Sequence, residues 1–401
     1  MKKLIISAVT VLAAITASAQ GGNTGYGGPD GDYKALADRV LNLEKKNDAF
    51  NMYFNYGSSF QMSDATSDWT SAFRAKQLRW EVKGTFGDHL SYRLRHRMNK
   101  ANAAMSEENF AKATDIMMVG WKFNDKLSLM GGKMCQFWGG FEFDENPMYI
   151  YQYSDLLDCM DNFLAGVAFI YNPLPSQEFV VNITNSYSGK FEDEYGAGAK
   201  VYGSNDRLQA ASAPLCYILN WNGSFFDGIF KTRWSVGSYT QARRMHFDGD
   251  EGTGKDLHDR LLYLGQSLNF KKFQIYFDYM GNYEQLDRMR MASNIYGLNG
   301  TYLTDVRYDS FITKANWQFK PKFNLMGKFM YETAGIKENH PLRTSMGYVA
   351  SLEFYPQADQ DLRFFLAYAG KKLRFVGPDG WGGAGRSDRI ELGFMYRIKC
   401  Y

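Results

Sequence analysis

From residue 50 onward, apolar and polar residues alternate along many short segments of the chain. The alternation is regular over residues 78–84 and 90–98, and it returns over residues 273–279, 325–331 and 389–397. Because successive side chains of a β-strand point to opposite faces, this period of two predicts strands with one apolar and one polar face. The sixteen predicted strands span residues 51–62, 71–86, 90–99, 112–123, 127–138, 163–172, 177–187, 215–225, 229–240, 259–270, 272–284, 307–319, 322–334, 343–355, 361–375 and 387–400.

The connections between these strands alternate between short and long. Short connections cover residues 87–89, 124–125, 271–272, 320–321 and 356–361, and long ones cover 100–111, 139–162, 188–214, 241–258, 285–306 and 376–386. Tight periplasmic turns and longer outer loops are typical of a membrane barrel. A sheet in hydrocarbon must also close, because an open edge leaves backbone groups unpaired. The pattern therefore predicts an all-β fold, a 16-stranded antiparallel transmembrane β-barrel over residues 50–401.

Composition narrows the class of protein further. The 27 Tyr, 30 Phe and 8 Trp exclude a disordered chain, and 46 basic against 43 acidic residues argue against a dedicated nucleic-acid binder. Four cysteines match no metal-binding or redox spacing, so we expect no metal and no cofactor. Cys135 and Cys159 are either a disulfide or two free thiols.

The first 49 residues differ from the rest. Residues 1–19 combine a basic start, an apolar stretch and an Ala-Ser-Ala cleavage site, which is typical of a signal peptide. Residues 20–49 read as a Gly-rich linker and a short periplasmic helix with apolar residues at Leu36, Val40 and Leu43. That helix either rests on the barrel rim or forms a small coiled coil. The chain is therefore expected to be exported.

If the apolar strand faces meet lipid, the opposite faces line a water-filled lumen. Arg93, Arg95 and Arg97 then share the inner face of one strand, about 6.8 Å apart, where neighbours repel by about 0.6 kcal/mol in water. Folding alone does not require such a row, so we expect the three arginines to attract anions. The alternative is that the inward charges only keep water in the lumen and pair with one another across strands. The further basic residues expected on the wall are Arg79, Lys83 and Arg233.

The long connection over residues 139–162 is too apolar and aromatic for an exposed loop. We expect this third loop to fold into the lumen and narrow it. All of its charged residues are acidic, and those expected at the constriction are Glu142, Asp144, Glu145, Asp155 and Asp158. An acidic loop facing an arginine wall would produce a transverse field that favours small dipolar solutes. The alternative is a surface loop that holds a divalent cation through Asp144 and Glu145.

The run over residues 132–147, with Gly139, Gly140 and Asp144, resembles the signature of the phosphate-selective porin family (porins O and P), in its Bacteroidetes-type branch. The resemblance implies an outer-membrane barrel, usually a trimer, that passes small anions or other hydrophilic solutes. It also implies an arginine ladder, to which Arg93, Arg95 and Arg97 correspond by pattern. The phosphate-selective members carry lysines on the constriction loop, whereas residues 139–162 contain neither Lys nor Arg. We therefore expect a general diffusion pore.

Other classes of protein are less compatible with the sequence. A hydrolytic enzyme needs a nucleophile beside a base, and none of the five histidines lies in such a context, so we expect no enzymatic activity. An adhesin or receptor barrel would use the outer loops over residues 188–214 or 285–306, and could also transport. We expect a homotrimeric porin of the bacterial outer membrane, with outer-membrane lipids and small hydrophilic solutes or anions as its partners.

Overall fold

The computed structural model describes residues 49–64, 68–248, 251–296, 298–337, 339–357, 360–377 and 382–400. The predicted signal peptide lies outside these residues, as does the 20–49 segment except for its last residue. Both therefore stay predictions. Within the described ranges, none of the helices is long and apolar enough to cross a bilayer.

One sheet of nineteen strands contains the described part of the chain. Its strands are β1 (Asn51–Asp64), β2 (Trp69–Phe86), β3 (Leu90–Arg97), β4 (Thr114–Lys122), β5 (Leu127–Cys135), β6 (Phe163–Leu174), β7 (Gln177–Asn185), β8 (Lys200–Val201), β9 (Arg207–Ala210), β10 (Leu215–Phe225), β11 (Phe230–Asp248), β12 (Glu251–Asn269), β13 (Phe273–Glu284), β14 (Thr301–Tyr302), β15 (Val306–Lys320), β16 (Phe323–Ile336), β17 (Asn339–Phe354), β18 (Asp361–Val376) and β19 (Gly382–Lys399). Strands β8, β9 and β14 lie in the long connections, and the other sixteen form the barrel wall.

The barrel closes between its first and last strands. Strand β1 pairs with β19 in antiparallel register, from Tyr53 opposite Lys399 to Asp64 opposite Asp388. Every neighbouring pair of wall strands is antiparallel as well. Closure satisfies the backbone groups that an edge would expose to hydrocarbon. The prediction of a 16-stranded antiparallel barrel is confirmed.

Alternating burial along each wall strand separates the two faces of the sheet. In β16, Leu325 and Phe329 are exposed on the outside, whereas Met326, Lys328 and Met330 are buried on the inside. Outward residues are mostly apolar because they meet lipid acyl chains. Charged residues of these strands therefore concentrate on the lumen side.

Two hairpins are longer than the sequence pattern predicts. Residues 241–258 are predicted as a long loop, but β11 and β12 continue pairing as far as Asp248 opposite Glu251. Likewise, β19 starts at Gly382, inside the predicted loop 376–386. These outer strand ends extend beyond the lipid, where no apolar face is required. Their sequence consequently lacks the alternation that reveals a strand in the membrane.

The long outer connections also contain short helices. They are α1 (Phe141–Asp144), a 3-10 turn (Pro147–Tyr149), α2 (Asp155–Cys159), α3 (Phe191–Tyr195) and α4 (Met291–Ile295). The first three elements belong to residues 139–162, which pack inside the barrel in an apolar cluster. The cluster joins residues of this segment to wall residues, and includes Trp138, Met148, Tyr151, Leu156, Leu157, Tyr239, Tyr263, Tyr276 and Phe365.

Two other outer connections, residues 186–214 and 285–305, bind to each other. Strands β8 and β14 pair in parallel through Thr301 opposite Lys200 and Tyr302 opposite Val201. The Tyr302 hydroxyl donates a hydrogen bond of 2.7 Å to a backbone carbonyl of α3. Apolar side chains from both connections share one buried cluster. The two connections therefore form a single layer at the outer rim.

Candidate functional site

A cavity of about 830 Å³ lies in the lumen between strands β2–β5 and the 139–162 segment. Its lining is dominated by charge. The basic side chains are Lys76, Arg79, Arg93, Arg95, Arg97, Lys100, Lys112 and Lys133, and the acidic ones are Asp115, Asp144, Glu145, Asp158, Asp161 and Glu194. Such a lining holds water and suits hydrophilic solutes.

Three wall arginines surround one carboxylate. The Asp115 carboxylate lies 3.5 Å from Arg79 Nη1, 3.4 Å from Arg95 Nε and 2.9 Å from Arg97 Nε. Arg79 and Arg97 are directly opposite each other in the β2–β3 ladder, so the aspartate also relieves a like-charge pair. The three guanidinium groups exceed their single carboxylate by two positive charges.

A second carboxylate, Glu81, is shared in the same way. Arg93 Nε lies 2.7 Å from one Glu81 oxygen, and Arg397 Nη2 lies 3.7 Å from the other. The Arg93 side chain is 35% exposed, whereas that of Arg95 is 9% exposed. Arg93 therefore presents the more accessible guanidinium to the lumen. Together, the four arginines Arg79, Arg93, Arg95 and Arg97 share two carboxylates, which leaves two excess positive charges among these six groups.

Sequence reasoning missed Asp115 because a β-bulge moves it. The exposed residues Met117, Val119 and Trp121 place Asp115 on the lipid side by strict alternation. The β3–β4 register shifts between Arg95 and His96, and Asp115 is buried on the arginine side. A carboxylate on a predicted lipid face is itself a signal of such a shift, since ionised groups there are costly.

Lys76 was missed for the same reason. The β1–β2 register shifts between Gly57 and Ser58, and beyond that point the inner and outer positions of β2 exchange. The Lys76 ammonium lies 2.5 Å from a Glu391 carboxylate oxygen on the inner wall. A bulge therefore adds a lysine to the lumen that the alternation assigns to the outside.

The third loop is held by the wall opposite the arginines. Its first turn lies on Asp278 of β13, which accepts hydrogen bonds from the backbone N–H groups of Phe141 at 2.9 Å and Glu142 at 2.8 Å. Gly140 makes this approach possible, because a Cβ atom there would lie 2.3 Å from the Asp278 carboxylate. The glycine of the sequence signature thus brings the loop backbone against the wall.

Acidic loop residues then pair with basic residues of that wall. Glu142 is fully buried and accepts hydrogen bonds from the Lys328 ammonium and from Ser154. Glu145 pairs with Lys314 in the same manner. These pairs fix the loop across the lumen, since each buried charge has its counterion.

Asp155 anchors the far end of the loop. Its carboxylate pairs with Arg343 and Lys371. Burial of Asp155 opposes ionisation, but these two cations outweigh it and hold the pKa of the carboxyl below its ordinary value. The backbone N–H groups of Asp155 and Leu156 donate to Glu332, at 2.8 Å and 3.1 Å. The anchor is therefore ionised at neutral pH.

The predicted site residues thus fall into two groups. Arg79, Arg93, Arg95 and Arg97 line the cavity together with Asp144, Glu145 and Asp158. The other two acidic residues of the loop, Glu142 and Asp155, are buried against the opposite wall and do not face the arginines. Arg233 pairs with Asp144, and the Lys83 ammonium lies 5.5 Å from the Tyr53 ring rather than in the cavity lining.

The alternative role of Asp144 and Glu145, as ligands of a divalent cation, can be compared with the partners that the structure gives them. Both carboxylates pair with basic side chains, Arg233 and Lys314. In the described ranges no group of three His, Cys, Asp or Glu residues is placed to hold a metal ion.

The question of a disulfide between Cys135 and Cys159 is separate. All four cysteines are free thiols, so Cys135 and Cys159 form no disulfide.

A closed sixteen-stranded barrel with an inward-folded loop and a charged lumen defines a porin, a channel of the bacterial outer membrane. The chain belongs to the family of phosphate-selective porins O and P, whose profile matches residues 50–398. Family and fold indicate a channel rather than an enzyme. A search of curated proteins finds no match.

Solved structures show the same fold at low sequence identity. The outer membrane channel DcaP of Acinetobacter baumannii superposes with a TM-score of 0.59 at 10% identity, over 88% of this chain and 98% of that one. For OmpT of Vibrio cholerae the TM-score is 0.53 at 12% identity, over 88% and 99%. For an anion-selective porin from Comamonas acidovorans it is 0.52 at 10% identity, over 87% and 99%. At these identities the similarity concerns the fold alone.

Proposed function

We propose that this porin passes small hydrophilic solutes by passive diffusion and prefers anions, and that Arg93, Arg95 and Arg97 set the preference. The observation that carries the proposal is the wall on which four guanidinium groups of β2 and β3 share two carboxylates. Excess positive charge beside a narrow aqueous path raises the local concentration of anions. Guanidinium groups also offer forked donors to carboxylate and phosphate groups.

The preference we propose is moderate and not specific for phosphate. Asp144, Glu145 and Asp158 line the cavity across from the arginines, so a solute meets both signs of charge. Residues 139–162 supply no cation to complete a phosphate cage. Opposite charges on facing walls create a field across the path, which favours small dipolar solutes over apolar ones.

We also propose that the protein assembles as a homotrimer in the outer membrane. One of the OmpT structures that share this fold is a trimer form, and a trimer is also what the family resemblance implies. Chemical cross-linking of the full chain in detergent, followed by denaturing electrophoresis, should give a band at three times the monomer mass. A monomer band alone would contradict the assembly without affecting the channel.

The ion preference is tested by reversal potentials in planar bilayers under a potassium chloride gradient. R93Q/R95Q/R97Q should lower the chloride-to-potassium permeability ratio, because three lumen cations are removed. The variant R93Q/R97Q keeps Arg95 on Asp115, and serves if the triple variant does not fold. An unchanged ratio in both variants would contradict the proposed role of the arginines.

The matched control removes the same number of positive charges from the outer surface of the barrel. Lys372, Arg374 and Arg386 lie on strand faces that point away from the lumen. K372Q/R374Q/R386Q should therefore leave the permeability ratio at the wild-type value. An equal fall in this control would show that overall charge, and not the lumen wall, determines the ratio.

A further inference from the structure

On the lipid-facing side of β17–β19, side chains form rows that cross the three strands. Each row joins three residues that lie opposite one another in the two ladders. From the periplasmic end, the rows are Phe354, Phe364 and Phe394; Leu352, Leu366 and Leu392; Ala350, Tyr368 and Ile390; Tyr348, Gly370 and Asp388; Met346, Lys372 and Arg386; and Thr344, Arg374 and Ala384. Along one direction, the face therefore changes from a phenylalanine row to a leucine row, then to two rows that contain tyrosines, and finally to rows that contain basic residues.

The basic rows lie at the outer boundary of the membrane. Eight residues separate Phe364 from Lys372, which is about 27 Å along a strand. With a strand tilt of about 40°, this becomes roughly 21 Å along the membrane normal, close to the apolar band of about 25 Å that such barrels present. The phenylalanine row then meets the periplasmic interface, and Lys372 reaches the level of the outer headgroups.

The positive charges of this patch are poorly balanced. Lys372 and Arg386 are directly opposite each other across the β18–β19 ladder, where like charges are destabilising. Arg386 has a carboxylate partner, Asp388, at 2.6 Å, and its side chain remains 62% exposed. Lys372 and Arg374 are exposed, and no residue of the described chain forms an ion pair with either. Of the three cations, only Arg386 therefore has a carboxylate partner in the described part of the chain.

Next to the basic residues, on the side toward the membrane centre, the face carries two tyrosines, Tyr348 and Tyr368. The Tyr348 ring lies over Gly370, where a Cβ atom would be 2.3 Å from the ring. Its centroid lies 5.9 Å from that of Tyr368, with the two rings tilted by 42°. The Tyr368 hydroxyl donates a hydrogen bond of 2.6 Å to Asp388. Leu366 and Leu392 continue the apolar surface toward the membrane centre.

We propose that this face binds a phosphorylated lipid of the outer leaflet. Its phosphate lies between Lys372, Arg374 and Arg386, and its acyl chains run down over the tyrosine and leucine rows. A ligand with anionic head and apolar chains matches both halves of the surface, whereas a free anion matches only the upper half. Charge-assisted bonds from guanidinium to phosphate supply the specificity for the headgroup.

The test measures lipid binding to the full mature chain in detergent by native mass spectrometry. The probes are lipid A with two phosphates, the same lipid after dephosphorylation, and inorganic phosphate as a competitor. The wild type should bind the phosphorylated lipid, and K372Q/R374Q/R386Q should bind it at least about tenfold more weakly, since each basic residue near anionic lipid contributes to affinity. The dephosphorylated lipid should bind both proteins equally weakly.

The control variant is K126Q/K271Q/K320Q, which removes three exposed lysines from the opposite, periplasmic rim. It should bind the phosphorylated lipid as the wild type does, and wild-type single-channel conductance of both variants shows that they are folded. Equal lipid affinity of K372Q/R374Q/R386Q and the wild type would overturn the proposal. Complete displacement of the lipid by millimolar inorganic phosphate would overturn it too, since the site would then be one for a free anion.

Discussion

Neutralising Glu142 should release the constriction loop. The Glu142 carboxylate accepts hydrogen bonds from the Ser154 N–H at 2.9 Å, from the Ser154 hydroxyl at 2.6 Å and from the Lys328 ammonium. Lys328 also donates to the Gln152 carbonyl at 2.7 Å, and its side chain is only 4% exposed. In the variant E142Q, the buried Lys328 ammonium keeps its charge but loses its counterion.

The size of the effect follows from the burial of both groups. Removing one partner of a buried ion pair costs about 3–5 kcal/mol. If the whole cost falls on loop docking, the docking equilibrium weakens by roughly a hundredfold or more, because about 1.4 kcal/mol corresponds to a factor of ten. The double variant E142Q/K328M removes both charges, so it avoids the uncompensated cation and should be less damaging than E142Q.

Single-channel recording separates these cases. E142Q should show a higher mean conductance and greater open-channel noise, because the released loop no longer narrows the lumen continuously. E142Q/K328M should lie between E142Q and the wild type. The reasoning is refuted if E142Q has wild-type conductance and noise, or if the double variant is more strongly affected than the single one.

Three further measurements probe the same lumen. Deleting part of residues 139–162 should raise single-channel conductance, and no rise would place the segment outside the conducting path. D115N should raise the chloride-to-potassium permeability ratio, because three guanidinium groups lose their shared carboxylate; a fall would contradict the charge balance of the wall. Because the pKa of Asp155 is lowered, its contribution to loop docking is complete above its ordinary value of about 3.9 and is lost as the pH falls through the lowered one. Between pH 7 and 5, the pH dependence of conductance should therefore be the same in the wild type and in D155N.

The wall strands could be predicted because lipid imposes one rule on all of them. Each of the sixteen predicted segments overlaps one wall strand, and the ends differ most where strands leave the membrane, as in β11 and β12. There, water surrounds both faces, and sequence need not alternate. The alternation arises because one face of each strand meets lipid and the other meets water. This constraint ends at the level of the headgroups.

The site was less predictable because it depends on irregularities and long-range contacts. Arg93, Arg95 and Arg97 follow the alternation, but Asp115 reaches them only through a bulge, and the one local sign of that bulge is a carboxylate at a position that the alternation assigns to lipid. The ion pair of Glu142 with Lys328 joins residues 186 positions apart. The acidic character of the loop was visible in the sequence, whereas the wall that would neutralise each carboxylate was not.

The joined outer connections have a consequence for damage at the cell surface. Residues 186–214 are held to residues 285–305 by the β8–β14 pairing and a shared apolar cluster, as well as by their own covalent ends. When a protease cuts one peptide bond in either connection, the two new ends remain bound to the other connection through this pairing and this cluster. The mouth of the barrel keeps its shape after such a nick, and the cut shows only when the polypeptide is fully denatured.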